Sequence, residues 1–362
     1  MNPLELILAA RIASEGPLDV GTFMELALGH PEHGYYRTRD PLGRGGDFTT
    51  APEISQIFGE LIGLWAADLW RQMGSPKKLI LLECGPGRGT LMADALRAAK
   101  NAKGFLEAAE IHLLETSPVL RQLQKQTLSE YTMYFHEKLP PDTGGIPLIM
   151  IGNEFLDALP VRQLIRRGQA WAERAIICAP THGFTFSEKP FEGKIDDHDV
   201  FQVEEGEIVE ISPAQNTFIL QTLKLLKAGG AALFIDYGHI KSAPGDTLQA
   251  VRDHKYAEIL KDIGEADLTA HVDFERLSQV ARKAGAWVYG PVTQSHFLLS
   301  LGLAQRAETL IRALETTRSP SAESSLKEMK SAVLRLSGPA VMGQLFKAIC
   351  ITHDRTLRPA GF

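Results

Sequence analysis

Short apolar runs alternate with amphipathic segments from Lys78 onward, and no other feature restricts the fold as much. The runs Lys78–Cys84, Glu110–Leu114, Pro147–Ile151 and Ala231–Ile235 have strand length and are mostly apolar. Helical spacing fills the gaps at Leu91–Lys100 and Pro118–Ser129. Strands that are apolar on both faces must be covered on both, and strands joined through helices run parallel. The expectation is an α/β fold, a mostly parallel, doubly wound sheet, with further strands at 286–290 and Gln344–Thr352.

Around this sheet, residues 2–13 and 18–29 read as two amphipathic helices. Ser55–Met73 reads as a long one, with Ile57, Leu61, Leu64, Trp65 and Leu69 at helical spacing. Asn2 as N-cap, Pro3 at N1 and Glu5 at N3 write a helix start rather than a secretory leader. No stretch is apolar enough to span a bilayer. Between Arg162 and Ile211 the residues alternate, which suggests an inserted antiparallel set, and 214–227, 273–284 and an interrupted 301–335 read as helices. The chain divides into a helical N-terminal extension with a loop that could act as a lid (1–74) and a Rossmann-like domain (75–362). The second part carries a β-rich insertion at about 162–212 and a helical one at about 296–340.

Net charge is −6 and no block of Lys and Arg stands out, which argues against a nucleic-acid partner. Cys84, Cys178 and Cys350 are far apart, so neither a disulfide framework nor a zinc site is expected, and no metal ligand is assigned. A reducing compartment fits.

Leu81-Leu82-Glu83-Cys84-Gly85-Pro86-Gly87-Arg88-Gly89-Thr90-Leu91 follows one predicted strand and opens the next predicted helix. Glycine there lets the backbone turn and leaves room for a ligand, while the helix N-terminus offers free N–H groups. The dinucleotide fingerprint is G-x-G-x-x-G. Here the glycines stand at 85, 87 and 89, a spacing that resembles the first motif of methyltransferases dependent on S-adenosylmethionine (SAM), to which Glu83 also belongs. Glu115, at the end of the next predicted strand, can accept hydrogen bonds from both hydroxyls of a ribose, as NAD and SAM sites both require. Cys84 reads as a packed residue rather than a nucleophile.

On the acceptor side, strand 147–151 ends in Gly152-Asn153-Glu154-Phe155. Ligands sit beyond the carboxyl ends of strands in such sheets, so Asn153 and Glu154 can face the donor and hold a cationic acceptor, or they simply cap a following helix. Asp47-Phe48-Thr49-Thr50-Ala51-Pro52-Glu53 offers polar groups that could close over the donor, or an Asx turn before a helix. Asp236-Tyr237-Gly238-His239 ends another strand on the ligand side. Asp273 could be a helix N-cap, and His271 before it is a candidate base or a structural histidine.

Taken together, these segments resemble the family of the mitochondrial complex I assembly-factor methyltransferase and its bacterial homologues. The matching stretches are Phe23–Leu28, His33–Tyr36, Gly46–Gln56, Glu83–Gly89, Asn153–Pro160, Asp236–Gly238 and His271–Phe274. The resemblance implies a class I SAM-dependent methyltransferase fold and transfer to an arginine of a partner protein, with symmetric dimethylation. In related proteins it implies a link to respiratory complex I assembly. SAM would touch Glu83, Gly85, Gly87, Gly89 and Glu115, with Thr49 and Thr50 beside it. Asn153 and Glu154 would serve the acceptor, and Asp236 and His271 stay candidates by their positions. The expected location is the cytoplasm of a bacterium, or the mitochondrial matrix if the chain is eukaryotic. A SAM-binding assembly chaperone without catalysis and an NAD-dependent oxidoreductase are the rival readings.

Overall fold

The computed structural model describes residues 1–40, 43, 46–47, 50–179, 182–191, 193, 203–316 and 320–362. Its central sheet contains β1 (Leu79–Cys84), β2 (Ala109–Leu114), β3 (Met133–His136), β4 (Leu148–Asn153), β5 (Gly230–His239), β6 (Trp287–Thr293) and β7 (Phe346–Thr352). The strands lie in the order 3-2-1-4-5-7-6, with Val272–Asp273 added at the end of β5. The pairs β1–β2, β2–β3, β1–β4 and β4–β5 are parallel, whereas β7 runs antiparallel to both of its neighbours. The dinucleotide order 3-2-1-4-5-6 is thus interrupted by one reversed strand between 5 and 6.

Period-two burial explains why the strands read as apolar runs. Leu79, Leu81, Ile149, Ile151, Leu233 and Ile235 point into one core, shared with helices Gln56–Gln72 and Thr90–Ala99. Ile80, Leu82, Leu148, Met150, Ala232 and Phe234 point into the other, closed by helices Pro213–Leu225 and Phe274–Lys283.

The N-terminal helices Pro3–Glu15, which begins with the expected Asn2–Glu5 capping box, and Val20–Gly29 share a third core. That core includes Ile176 of the inserted antiparallel sheet, Val161 just ahead of its strand Arg162–Arg167, and Ala250 and Leu268 of a small three-stranded sheet. Leu18–Asp19 even pairs with the inserted strand Ala170–Ala179. Between β6 and β7 the helices Gln294–Ser300, Leu303–Thr316, Pro320–Ser337 and Met342–Leu345 form the helical insertion. It is anchored by Arg306, which with Arg97 grips the buried Glu60 carboxylate, each at 2.7 Å.

Two features differ from the sequence expectation. Leu64 faces solvent, 49 % exposed, rather than the core. The short strands β3, Gln249–Arg252, Lys255–Ala257 and Asp267–Thr269 carry no legible pattern.

Helices Gln56–Gln72 and Thr90–Ala99 touch backbone to backbone at Gly63, where an added Cβ would lie 2.2 Å from the Ala95 carbonyl oxygen. Gly63→Ala gains about 1 kcal/mol of helix propensity. It also forces apart two rigid backbones, and overpacking of that kind costs about 1–3 kcal/mol. The expected net result is a lower calorimetric unfolding midpoint; an unchanged or higher one would show that the helices separate freely.

Candidate active site

A cavity of about 800 Å³ opens at the carboxyl ends of β1, β2 and β4, where the sheet places its strand-end residues. Glu83, Gly85, Gly87, Glu115, Thr50, Asn153 and Glu154 all line it, together with Tyr36, Glu53, Arg88, Phe155 and Phe218.

The turn after β1 is built for close approach. Gly85, Gly87 and Gly89 have φ of 64°, 54° and 82°, a region that side chains with a Cβ rarely adopt. Gly89 itself sits outside the cavity as N-cap of helix Thr90–Ala99 and shapes the turn. Below it, Glu83 is almost fully buried and one carboxylate oxygen has no partner. Burial, and then the charge of Glu115, push its pKa up to about 8. Glu115 accepts from the Ser117 amide at 2.7 Å and from Gln124 Nε2 at 3.1 Å, and Gln124 also donates to the Gly87 carbonyl at 2.6 Å. Each carboxylate oxygen keeps a lone pair for a further donor.

At the end of β4, Glu154 adopts φ +50°, a strained left-handed conformation for a side chain of its size. Its Oε1 accepts from the Ala51 amide at 3.1 Å and from Asn153 Nδ2 at 3.2 Å, and burial raises its pKa to about 7. Oδ1 of the buried Asn153 is unpartnered. No helix follows at once, so neither residue is a cap.

Asp236 does not line the cavity. Its Oδ2 instead accepts the successive amides of Phe155, Leu156 and Asp157 at 3.1, 2.9 and 3.2 Å, and so holds the turn that carries Glu154. His271 is also away from the cavity, edge-on to Tyr237, with its amide on Thr247 Oγ1. Burial lowers its pKa, which favours a neutral ring. Asp273 caps its helix through the Arg276 amide. Thr49 lies outside the described residues. Cys84 is buried and its thiol is held protonated by burial, consistent with a packing role.

Behind the Glu154 turn the structure gathers groups the sequence did not single out. Asp157 is buried with Oδ1 unpartnered, and Tyr36 in the cavity wall donates to the buried Asp267 at 2.7 Å. Burial raises Asp157 to about 6 and Asp267 to about 8.

A family model described as an S-adenosyl-L-methionine-dependent methyltransferase matches residues 61–292. This chain belongs to that family. The curated relatives include the mitochondrial protein arginine methyltransferase NDUFAF7 of Danio rerio, 33 % identical over 97 % of this chain and 87 % of that protein. The Homo sapiens protein of that name is 33 % identical over 99 % of this chain and 85 % of that one. A crystal structure of a Burkholderia thailandensis protein bound to S-adenosyl-homocysteine is similar throughout, with a TM-score of 0.82 and 28 % identity, covering 98 % of this chain and 92 % of that one.

The methyltransferase therefore uses SAM, and its cavity fits that group. SAM brings an ammonium, a sulfonium and a ribose, and the cavity offers an unpaired buried carboxylate, a second acid and a turn with room for a close ligand. We propose that Glu83 takes the ammonium and Glu115 the ribose. Glu115→Ala then loses on the order of 1.5–3 kcal/mol of SAM binding, read by calorimetry as a tenfold or greater rise in Kd.

The pH dependence comes from Glu83. A cation favours its ionised form, so SAM affinity should rise with pH up to about 8 and level off above. At neutral pH, binding should release a proton, visible as heat that varies with the buffer. Affinity that is flat across this range would remove Glu83 from the ammonium site.

Proposed function

We propose that this methyltransferase transfers the methyl group of SAM to an arginine side chain of a protein acceptor. The observation that carries the reading is Glu154, a carboxylate at the end of β4 that lines the cavity beside the donor turn. The mitochondrial relatives named as protein arginine methyltransferases support the same choice of acceptor.

A guanidinium is a poor nucleophile while charged, with a pKa above about 12. Glu154 can fork onto it, draw the positive charge toward the paired nitrogens and leave the third with its lone pair aligned. Asn153, with an unpartnered Oδ1, adds an acceptor for a further N–H. Phe155 and Tyr36 supply aromatic walls against which a planar cation can stack. SAM supplies an electrophilic methyl whose transfer leaves a neutral thioether. Glu154 then takes the proton that the methylated nitrogen gives up, a role suited to a group titrating near neutrality. Much of the rate gain comes from orientation, because the strained turn holds the carboxylate in place before the acceptor arrives.

Family resemblance extends the proposal to symmetric dimethylation, to a role in respiratory complex I assembly and to the cytoplasm of a bacterial cell. Among the described residues no helix is long and apolar enough to cross a membrane.

Labelled SAM, added to a lysate of a deletion strain and followed by mass spectrometry, should place label on an arginine of one protein. Glu154→Gln keeps the shape and removes the charge, so it should bind SAM as the parent does and lose transfer by about 100-fold or more, the usual contribution of a positioned base. Label on lysine or a small molecule would refute the arginine reading. Loss of SAM binding would move Glu154 to the donor side.

A further inference from the structure

Four carboxyl groups meet behind and beside the acceptor end of the cavity: Glu154, Asp157, Asp236 and Asp267. They come from three elements, namely the turn after β4, the end of β5 and the strand Asp267–Thr269. The two on the turn are tied together by Asp236, which binds the amides from Phe155 to Asp157. Asp157 is further pinned by its own carbonyl, which accepts the Ala270 amide at 3.1 Å, and by the Tyr237 side chain on its carboxylate. The other oxygen, Oδ1, is buried without a partner. Facing this group are Asp236 and Tyr237 from β5, Asp267 from its strand and Tyr36 from helix Tyr35–Thr38. Arg335 of helix Pro320–Ser337 is the cation that acts on Glu154.

A buried carboxylate oxygen without a partner is costly, and a second buried carboxylate three residues away on the same turn raises the cost for both. Such an arrangement is tolerated in one of two ways: a proton stays bound, or a cation arrives. Packing alone would be served as well by Asn at 157, so the acid has an electrostatic consequence that its shape does not require.

We propose that Asp157 is a positioning residue that acts through Glu154, keeping a proton on the empty acceptor site and releasing it when a cation enters. The acceptor site is then selective for charge as well as shape. A guanidinium exchanges with the bound proton, whereas a neutral isostere such as a citrulline side chain must leave the proton in place and forgo the ion pair. This rests on the arginine reading for the identity of the cation, but the coupling of Asp157 to Glu154 does not.

The test follows the Glu154 carboxyl by carbon-13 NMR titration of the full chain saturated with S-adenosyl-homocysteine, the signal being assigned by its absence in Glu154→Gln. The parent should titrate near 7. Asp157→Asn should lower that midpoint by roughly half a unit or more, as loss of a nearby charge in a partly screened interior requires. Tyr237→Phe supplies an independent arm. Without that hydroxyl Asp157 holds its own proton more tightly, so the Glu154 midpoint should again fall. Equal midpoints in parent and Asp157→Asn, or a rise in either variant, overturn the proposal. No acceptor is needed, so these results stand whatever the labelling experiment finds. With an acetylated arginine amide as probe, binding near pH 7 should release a proton in the parent and less in Asp157→Asn; failure of the probe to bind the parent counts against the arginine reading alone.

Discussion

One carboxylate gripping three consecutive amides sets the geometry on which the site depends. Asp236, at the end of β5, receives the N–H groups of Phe155, Leu156 and Asp157, and through Oδ1 that of Tyr237. The first three of these amides belong to a turn that is neither helix nor strand, where backbone donors would otherwise lie buried and unpaired. Because their partner is on the neighbouring strand, the turn is registered against the sheet. The left-handed conformation of Glu154 is therefore held from β5, by the grip of Asp236 on the next three amides and by the Ile235 carbonyl on its own amide at 2.9 Å.

The electrostatics of the cavity result from that arrangement. Among the described residues of its wall glutamates outnumber cations, Glu25, Glu53, Glu83, Glu115, Glu137 and Glu154 against Arg88, Lys138 and Lys224, and the buried Asp157 and Asp267 lie behind it. A protein that buried so many acids for stability alone would pair them, as Glu60 of helix Gln56–Gln72 is paired with Arg97 and Arg306. The contrast separates two uses of the same residue type within one chain. Paired, a buried Glu fastens helices; without an ion pair, in the cavity wall, it is left with charge to offer a ligand.

The central sheet was legible because strands covered on both faces leave uninterrupted apolar runs, as Leu79–Cys84 and Leu148–Asn153 do. The edge strand β3 was not, since four residues with Tyr134 half exposed leave no period to read. The hairpin Gln249–Ala257 was hidden for a related reason: its second strand is wholly exposed. In the site, Glu83, Glu115, Asn153 and Glu154 could be read because strand ends in this topology meet at one place. Asp236 was found by the same rule, but its grip on backbone amides leaves no trace in residue type. His271 drew notice for its imidazole and its position before a helix, and neither says where the ring points. Tyr36 and Asp267 meet across 231 residues of chain, a separation no local pattern reports, and the burial of Asp157 leaves no mark in the sequence.

The position of β7 also bears on how the protein comes to exist in a cell. This strand is made after every other strand of the sheet, yet it lies inside the sheet, between β5 and β6. Domains emerge from the ribosome at about 5–20 residues per second and tend to fold as they appear. Until Phe346–Thr352 is available, β5 and β6 each present an unpaired apolar edge, the kind of surface that templates aggregation. The two strands cannot close on each other without excluding the one still to come. A nascent chain of this protein thus spends its synthesis with a gap in its core. A chain cut short before residue 346 exposes that gap to the chaperones and proteases that triage unfinished proteins, although every strand that carries the cavity has by then been made.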